Sequence, residues 1–135
     1  MRISQKLEYA CRAMVQLARQ YDGQTLTRLD ELAQREEVSA NFLVQILNDL
    51  KRSDLITSKR GKAGGYLLHN PPHEITLLHI TRAVEPAMLN AEMSHDGQSG
   101  RRVSQAWQQV SQVMEKELQS ITLDSLSMQS PMFYI

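Results

Sequence analysis

Cysteine is almost missing from this chain: Cys11 is the only one in 135 residues. A single thiol excludes a disulfide framework within the chain and any metal site built from its own cysteines. Long apolar runs are missing as well. None approaches the ~18 residues of a membrane span, and the N-terminus has no signal-peptide hydrophobic segment, so the protein is expected in the cytoplasm with no membrane partner. Aromatic residues are few, with one Trp, four Tyr and two Phe, so the core allowed by a 41% hydrophobic content should be mainly aliphatic. Net charge is zero, fifteen basic residues against fifteen acidic. The overall balance therefore announces no nucleic-acid partner, and binding to one would have to rest on a placed patch. No Ser/His/Asp or Cys/His arrangement is visible and the four histidines fall on unrelated segments, so an enzyme is not expected. The length allows one domain and at most one added element.

Such a patch is present between Leu29 and Leu68. Leu29, Leu32 and Ala33 make a short apolar stripe at helical spacing, and Glu36-Glu37 lead into a break before Val38. Ser39 is a natural N-cap for a second helix, Ser39 to Ser53, which buries Phe42, Leu43, Ile46, Leu47 and Leu50. Its other face offers Ala40, Asn41, Val44, Gln45 and Asn48, short and uncharged. A solvated face would more often carry Lys and Glu, whereas amides suit adenine edges and a methyl group suits thymine. From Lys51 to Lys62 five basic residues stand against Asp54 alone, a local balance of +4. Leu55 to Thr57 and Tyr66 to Leu68 read as two short strands joined by Arg60-Gly-Lys-Ala-Gly-Gly65. That tip is no nucleotide loop, since no Gly-Lys-Ser/Thr ending is present and no helix opens after Gly65. The whole reads as a helix-turn-helix with a basic wing.

Around it, residues 3 to 21 form a first helix with Ile3, Leu7, Ala10, Met14, Ala18 and Tyr21 on one face, Cys11 beside that stripe, and Gly23 as terminator. Cys11 reads as a small buried hydrophobe. Thr25 to Thr27 suggest a short β segment. Pro71 and Pro72 keep the next link out of helix, which separates His69 from His73 as metal ligands. Thr76 caps a helix ending at Glu85-Pro86. From Arg101 to Ile121 a long helix carries Val103, Trp107, Val110, Met114, Leu118 and Ile121 at spacings of three and four, widened by Ala106 and Val113. At ~30 Å it outreaches one small domain, which points to a partner helix from a second copy. Leu123, Leu126, Met128 and the terminal Pro131 to Ile135 are expected to dock on that partner or cover the loop before the long helix.

Three runs, MRISQKLEYACRAMVQLA, SKRGKAGGYLL and PPHEITLLHITRAVEP, together resemble the Rrf2 family of bacterial transcription regulators, over nearly the whole chain. The resemblance implies a start of the first helix near the DNA backbone, making Arg2 and Lys6 either phosphate contacts or solvated charges. Members that sense iron, nitric oxide or redox state hold an iron–sulfur cluster with three cysteines in the loop corresponding to residues 87 to 100. This chain has none there, so no cluster or other cofactor is expected. Glu8 stands where some cluster-bearing relatives use an acidic ligand. Glu8 with Glu92, His95 or Asp96 of another chain leaves room for an oxygen/nitrogen metal site, and the loop is the expected sensor region, for a small molecule, a metal or a protein.

The expectation is therefore mainly α with a small β-wing: residues 1–86 as a winged helix-turn-helix, 87–100 as a sensor loop, 101–135 as dimerisation helix and tail. The expected partner is double-stranded DNA, bound by a homodimer through Asn41, Val44, Gln45 and Asn48 on bases and Arg2, Ser39, Arg60 and Lys62 on phosphates. Repression of a roughly palindromic operator is the default mechanism. A protein-binding adaptor is the alternative.

Overall fold

A computed structural model describes residues 1–90 and 92–128. The elements run α1 (Gln5–Arg19), α2 (Leu29–Arg35), α3 (Ala40–Arg52), β1 (Ile56–Lys59), β2 (Gly65–Leu68), α4 (Leu77–Val84), α5 (Gly100–Ser120) and α6 (Leu123–Ser127), with 3-10 turns at Pro72–Glu74 and Pro86–Leu89. This is the expected class, mostly helical with one two-stranded antiparallel sheet.

The core is aliphatic, as the scarcity of aromatics requires. Ala10, Ala13 and Met14 of α1 meet Leu43, Ile46, Leu47 and Leu50 of α3, Ile80 and Val84 of α4, and Ile56 and Leu68 of the strands. Ile3, placed on the α1 stripe by periodicity, is instead exposed, because the helix begins two residues later. Ser4 caps α1 by accepting from Leu7 N–H at 3.1 Å.

Both helices of the helix-turn-helix end in the same way. After α2, Val38 N–H donates to Ala33 C=O at 3.0 Å and Glu37 N–H to Gln34 C=O at 3.3 Å. After α3, Leu55 N–H donates to Leu50 C=O at 3.1 Å and Asp54 N–H to Lys51 C=O at 3.0 Å. This paired closure puts one residue in the left-handed region, and here it is an acidic residue each time: Glu37 at φ 53° and Asp54 at φ 59°. The closure fixes how the chain leaves each helix, and so the angle between α2 and α3.

At α4, Thr76 Oγ1 accepts from His79 N–H at 3.3 Å while Thr76 N–H donates to His79 Nδ1 at 3.0 Å. This reciprocal cap satisfies two otherwise free donors and gives His79 a structural role.

The tail expectation needs correction over its described part. Leu123 is 1% exposed and sits in the main core of its own chain, with α6 packed on α1. Leu77 N–H donates to Ile121 C=O at 3.0 Å and Leu123 N–H to Ile75 C=O at 2.7 Å, a short bridge tying the end of α5 to the start of α4. The sequence could not show this, because the bond partners lie over forty residues apart. Pro131 to Ile135 lie outside the described residues. Truncation of Leu123 to Ala should cost about 2–4 kcal/mol in equilibrium urea unfolding, the usual range for a buried leucine; wild-type stability would place α6 outside the core.

Candidate nucleic-acid interface

The turn between α2 and α3 is held from below by α1. Arg12 Nε donates to Glu36 Oε1 at 2.7 Å and Nη2 to the Glu36 carbonyl at 3.3 Å, while Gln16 Nε2 donates to Glu36 Oε2 at 2.6 Å. The hydrogen bond to Glu36 is the largest of the effects that raise the pKa of Arg12, and the guanidinium lies 4.5 Å from the centre of the Tyr9 ring. Tyr9 in turn meets Phe42 of α3 edge-on at 6.0 Å. Glu8, the residue singled out for a sensor role, is the third partner of Arg12, at 3.1 Å, and is half-exposed.

With its apolar side on that support, α3 presents Ala40, Asn41, Gln45, Asn48, Lys51 and Arg52 to solvent, while Val44 is half-buried. Ser39 spends its hydroxyl oxygen on Phe42 N–H at 3.2 Å as the N-cap, and its own O–H remains able to donate outward. Arg2 is exposed ahead of α1, and Lys6 pairs with Asp49 of α3 at 2.5 Å.

The wing stands beside α3. Its register pairs Ile56 with Leu68 and Lys59 with Gly65. Thr27 adds a third rung, exchanging two backbone hydrogen bonds with Tyr66, both 2.8 Å; this is the short β segment suggested by Thr25 to Thr27. Gly65 makes the approach possible, since a Cβ there would stand 2.5 Å from Thr27 O; Gly64 closes the tip itself, where a Cβ would stand 2.2 Å from Lys59 O. Arg60 and Lys62 flank Gly61 at the exposed tip. Arg28, which the sequence reading passed over, donates from Nη1 to the Lys62 carbonyl at 2.6 Å and so holds the tip against the start of α2. Between α2, α3 and the wing lies an open groove of about 640 Å³ lined by Arg28, Asn48, Lys51, Lys59 and Arg60 among others. Asn48 also borders two neighbouring hollows on α3. Asn48, Lys51, Lys59 and Arg60 thus converge on one open groove, which neither Lys62 nor Arg2 lines.

Elsewhere, Glu92, His95 and Asp96 are all exposed. Among the described residues no three His, Cys, Asp or Glu side chains come together as a metal cage. Cys11 is packed against the core, and burial pushes its thiol up to about 11, so it stays protonated at neutral pH. Along α5 the apolar stripe divides: Val103, Trp107, Val110 and Val113 are exposed, Trp107 by 52%, whereas Met114, Leu118 and Ile121 are half-buried. Among the described helices none is long and apolar enough to cross a membrane.

A helix-turn-helix backed by a three-helix core and flanked by a basic hairpin defines a winged helix-turn-helix transcriptional regulator. The model of the Rrf2 family, described as "Iron-dependent Transcriptional regulator", matches residues 3–129, and the chain belongs to that family. It is 31% identical to the HTH-type transcriptional regulator CymR of Bacillus subtilis over the full length of both. The structure of that protein, described as the global cysteine regulator, superposes with a TM-score of 0.79 over 94% of this chain and 96% of the other. IscR of T. potens superposes with a TM-score of 0.73 at 28% identity, over 100% and 97% of the two chains. A putative HTH-type transcriptional regulator of Mycobacterium tuberculosis is 44% identical over 85 residues, 63% of this chain but only 52% of that relative's length. The relatives are transcriptional regulators, and the chain is a regulator rather than an enzyme.

Gly65→Ala should cost about 1–3 kcal/mol, because the methyl group meets backbone that cannot yield without undocking the wing. Chemical denaturation reads this directly, and an unchanged midpoint would mean that the Thr27–Tyr66 rung is dispensable.

Proposed function

We propose that the protein is a homodimeric repressor that binds a roughly palindromic operator in double-stranded DNA. The observation that carries this reading is the groove in which Asn48 and Lys51 of α3 face Lys59 and Arg60 of the basic wing. The two recognition helices enter successive major grooves about 34 Å apart, the spacing that two-fold symmetry sets. Asn41, Gln45 and Asn48 read base edges, with Val44 reaching only a thymine methyl at the edge of the contact. Ser39, Lys62 and Arg2 anchor phosphates, and Arg60 reaches phosphate or the minor groove.

The dimer follows from α5. At about 100° per residue, Val103, Ala106, Val110 and Val113 fall on one line, with Trp107 beside it. Ser104, buried, and Ser111 and Glu115, half-buried, lie about 140° away around the helix, on the side facing α4. One face is thus occupied by the chain itself, and the adjacent apolar face awaits a second copy. Met114, Leu118 and Ile121 serve the chain's own packing more than the partner's.

We further propose that the signal is not read through an iron–sulfur cluster. Residues 87–100 contain no cysteine, and Cys11 is a packed, protonated thiol on α1, so the donor set does not suit such a group. A metal held by Glu8, Glu92, His95 or Asp96 would require ligands from both chains. A small molecule or partner protein acting on the same loop needs no such convergence.

Selection of binding sites from random duplex DNA by the metal-stripped protein tests the reading, and enrichment of a palindrome is the expected result. No enrichment would overturn it in favour of a protein-binding role. Within the enriched site, Gln45→Ala should cost about 1–3 kcal/mol at particular base pairs, whereas Arg60→Ala should weaken binding to all sequences and lower the salt slope by about one. Equal salt slopes for Arg60→Ala and wild type would remove the wing contact.

A further inference from the structure

Inside the basic face of α3 lies one carboxylate. Asp49 follows Asn48 and sits one turn beyond Gln45, so it neighbours Gln45 on the helix surface. Its two oxygens are both engaged: Oδ2 accepts from Lys6 Nζ at 2.5 Å, and Oδ1 accepts from Arg52 Nη2. The Asp49 side chain is only 18% exposed, while Lys6 and Arg52 are 40% and 74% exposed. The three residues border a hollow of about 350 Å³ whose other lining residues are Phe42, Gln45, Ile46 and Asn48. Both cations at this rim, one from α1 and one from α3, are thus already partnered, whereas among the described ion pairs none uses Lys59, Arg60 or Lys62 of the wing.

We propose that Asp49 is a specificity-determining residue, which holds Lys6 and Arg52 in one register beside the base-reading amides and withholds their charge from DNA of the wrong sequence. This rests on the DNA-binding reading above. Nonspecific complexes are held almost entirely by phosphate contacts and released counterions. A carboxylate at the rim repels phosphate and keeps two cations from roaming toward it, so a nonspecific complex loses the contacts that those two cations would add to the wing's. In the operator complex the amides supply base contacts of their own, and the two cations meet phosphate only at the position Asp49 fixes. Discrimination thus comes from a repulsive element set beside an attractive one.

The sign of the effect separates this from a purely structural tie between α1 and α3. If Asp49 only braced the helices, Asp49→Asn would weaken binding to every duplex. As a specificity residue, Asp49→Asn should bind random-sequence duplex roughly 3- to 10-fold more tightly at low salt, with a salt slope steeper by about one. Operator affinity should change less, so the ratio of operator to random binding falls. Adding Lys6→Gln and Arg52→Gln to that variant should return the random-duplex affinity and slope to wild type. In the wild-type background, Lys6→Gln with Arg52→Gln should change random-duplex binding less than about twofold, since Asp49 already holds both side chains away from phosphate; this second comparison stands whatever Asp49→Asn does to folding. Unchanged or weaker random-duplex binding by folded Asp49→Asn overturns the proposal, as does a large loss in the Lys6/Arg52 double variant. Wild-type protein that binds neither duplex at low salt brings down the DNA-binding reading itself, and this inference with it.

Discussion

The wing and the helix-turn-helix share one contact that admits no side chain, the approach of Gly65 to the backbone of Thr27. Everything on the basic face is referred to it. Thr27 leads directly into α2, so the rung it forms with Tyr66 sets the wing against the start of the helix-turn-helix rather than leaving it as a free hairpin. A two-stranded hairpin is marginal alone in water. Here the third rung, the Arg28 bond to the Lys62 carbonyl and the burial of Ile56 and Leu68 hold it to the body. The spacing between the wing cations and Asn48 is consequently a property of the fold, not of a mobile loop, and a fixed spacing is what a register-dependent contact with a duplex requires.

The second support acts from α1. Glu36 lies in the turn, and its carboxylate is shared by a guanidinium and an amide one helical turn apart on the first helix. A carboxylate with a side chain only 13% exposed is tolerable because both oxygens are satisfied. The turn also contains Glu37 in a left-handed conformation that glycine adopts more easily. The hydrogen bonds around Glu36 offset that local cost and make the exit from α2 stiff. The orientation of α3 thus depends on Arg12 and Gln16, which lie on the opposite side of the turn from any duplex bound to α3.

How much of this was legible in the sequence depended on range. Ser39 caps α3 as expected, because N-capping is a local matter of one side chain and a neighbouring N–H, and the helix ends at Ser53 where its apolar spacing stops. The apolar spacing of Leu43, Ile46, Leu47 and Leu50 and the glycine-rich tip are local signals too, and both elements formed where they pointed. The resemblance to the Rrf2 family was carried by the glycine-rich tip together with the runs that form α1 and α4. What escaped were contacts between distant residues with no periodicity to mark them: Arg12 with Glu36, Arg28 with Lys62, and Leu123 with the main core. The long helix shows the intermediate case. Its hydrophobic spacing was readable, but which edge of the stripe faced the chain's own α4 depended on tertiary packing, and Met114 and Leu118 turned inward while Val110 and Val113 did not.

The neutral charge of the whole chain fits this architecture. A uniformly basic surface would draw the protein to any polyanion, and the long-range field would add little information about sequence. Here Lys59, Arg60 and Lys62 of the wing enter none of the described ion pairs, while Arg12, Lys6 and Arg52 are each tied to a carboxylate of the same body. Exposed pairs of this kind contribute little to stability. Their consequence is spatial, since they leave a positive groove beside α3 and a quieter rim around it. In the DNA-binding role proposed above, affinity would come from the wing and discrimination from the helix. The rigid backbone between Gly65 and Thr27 keeps the two in step.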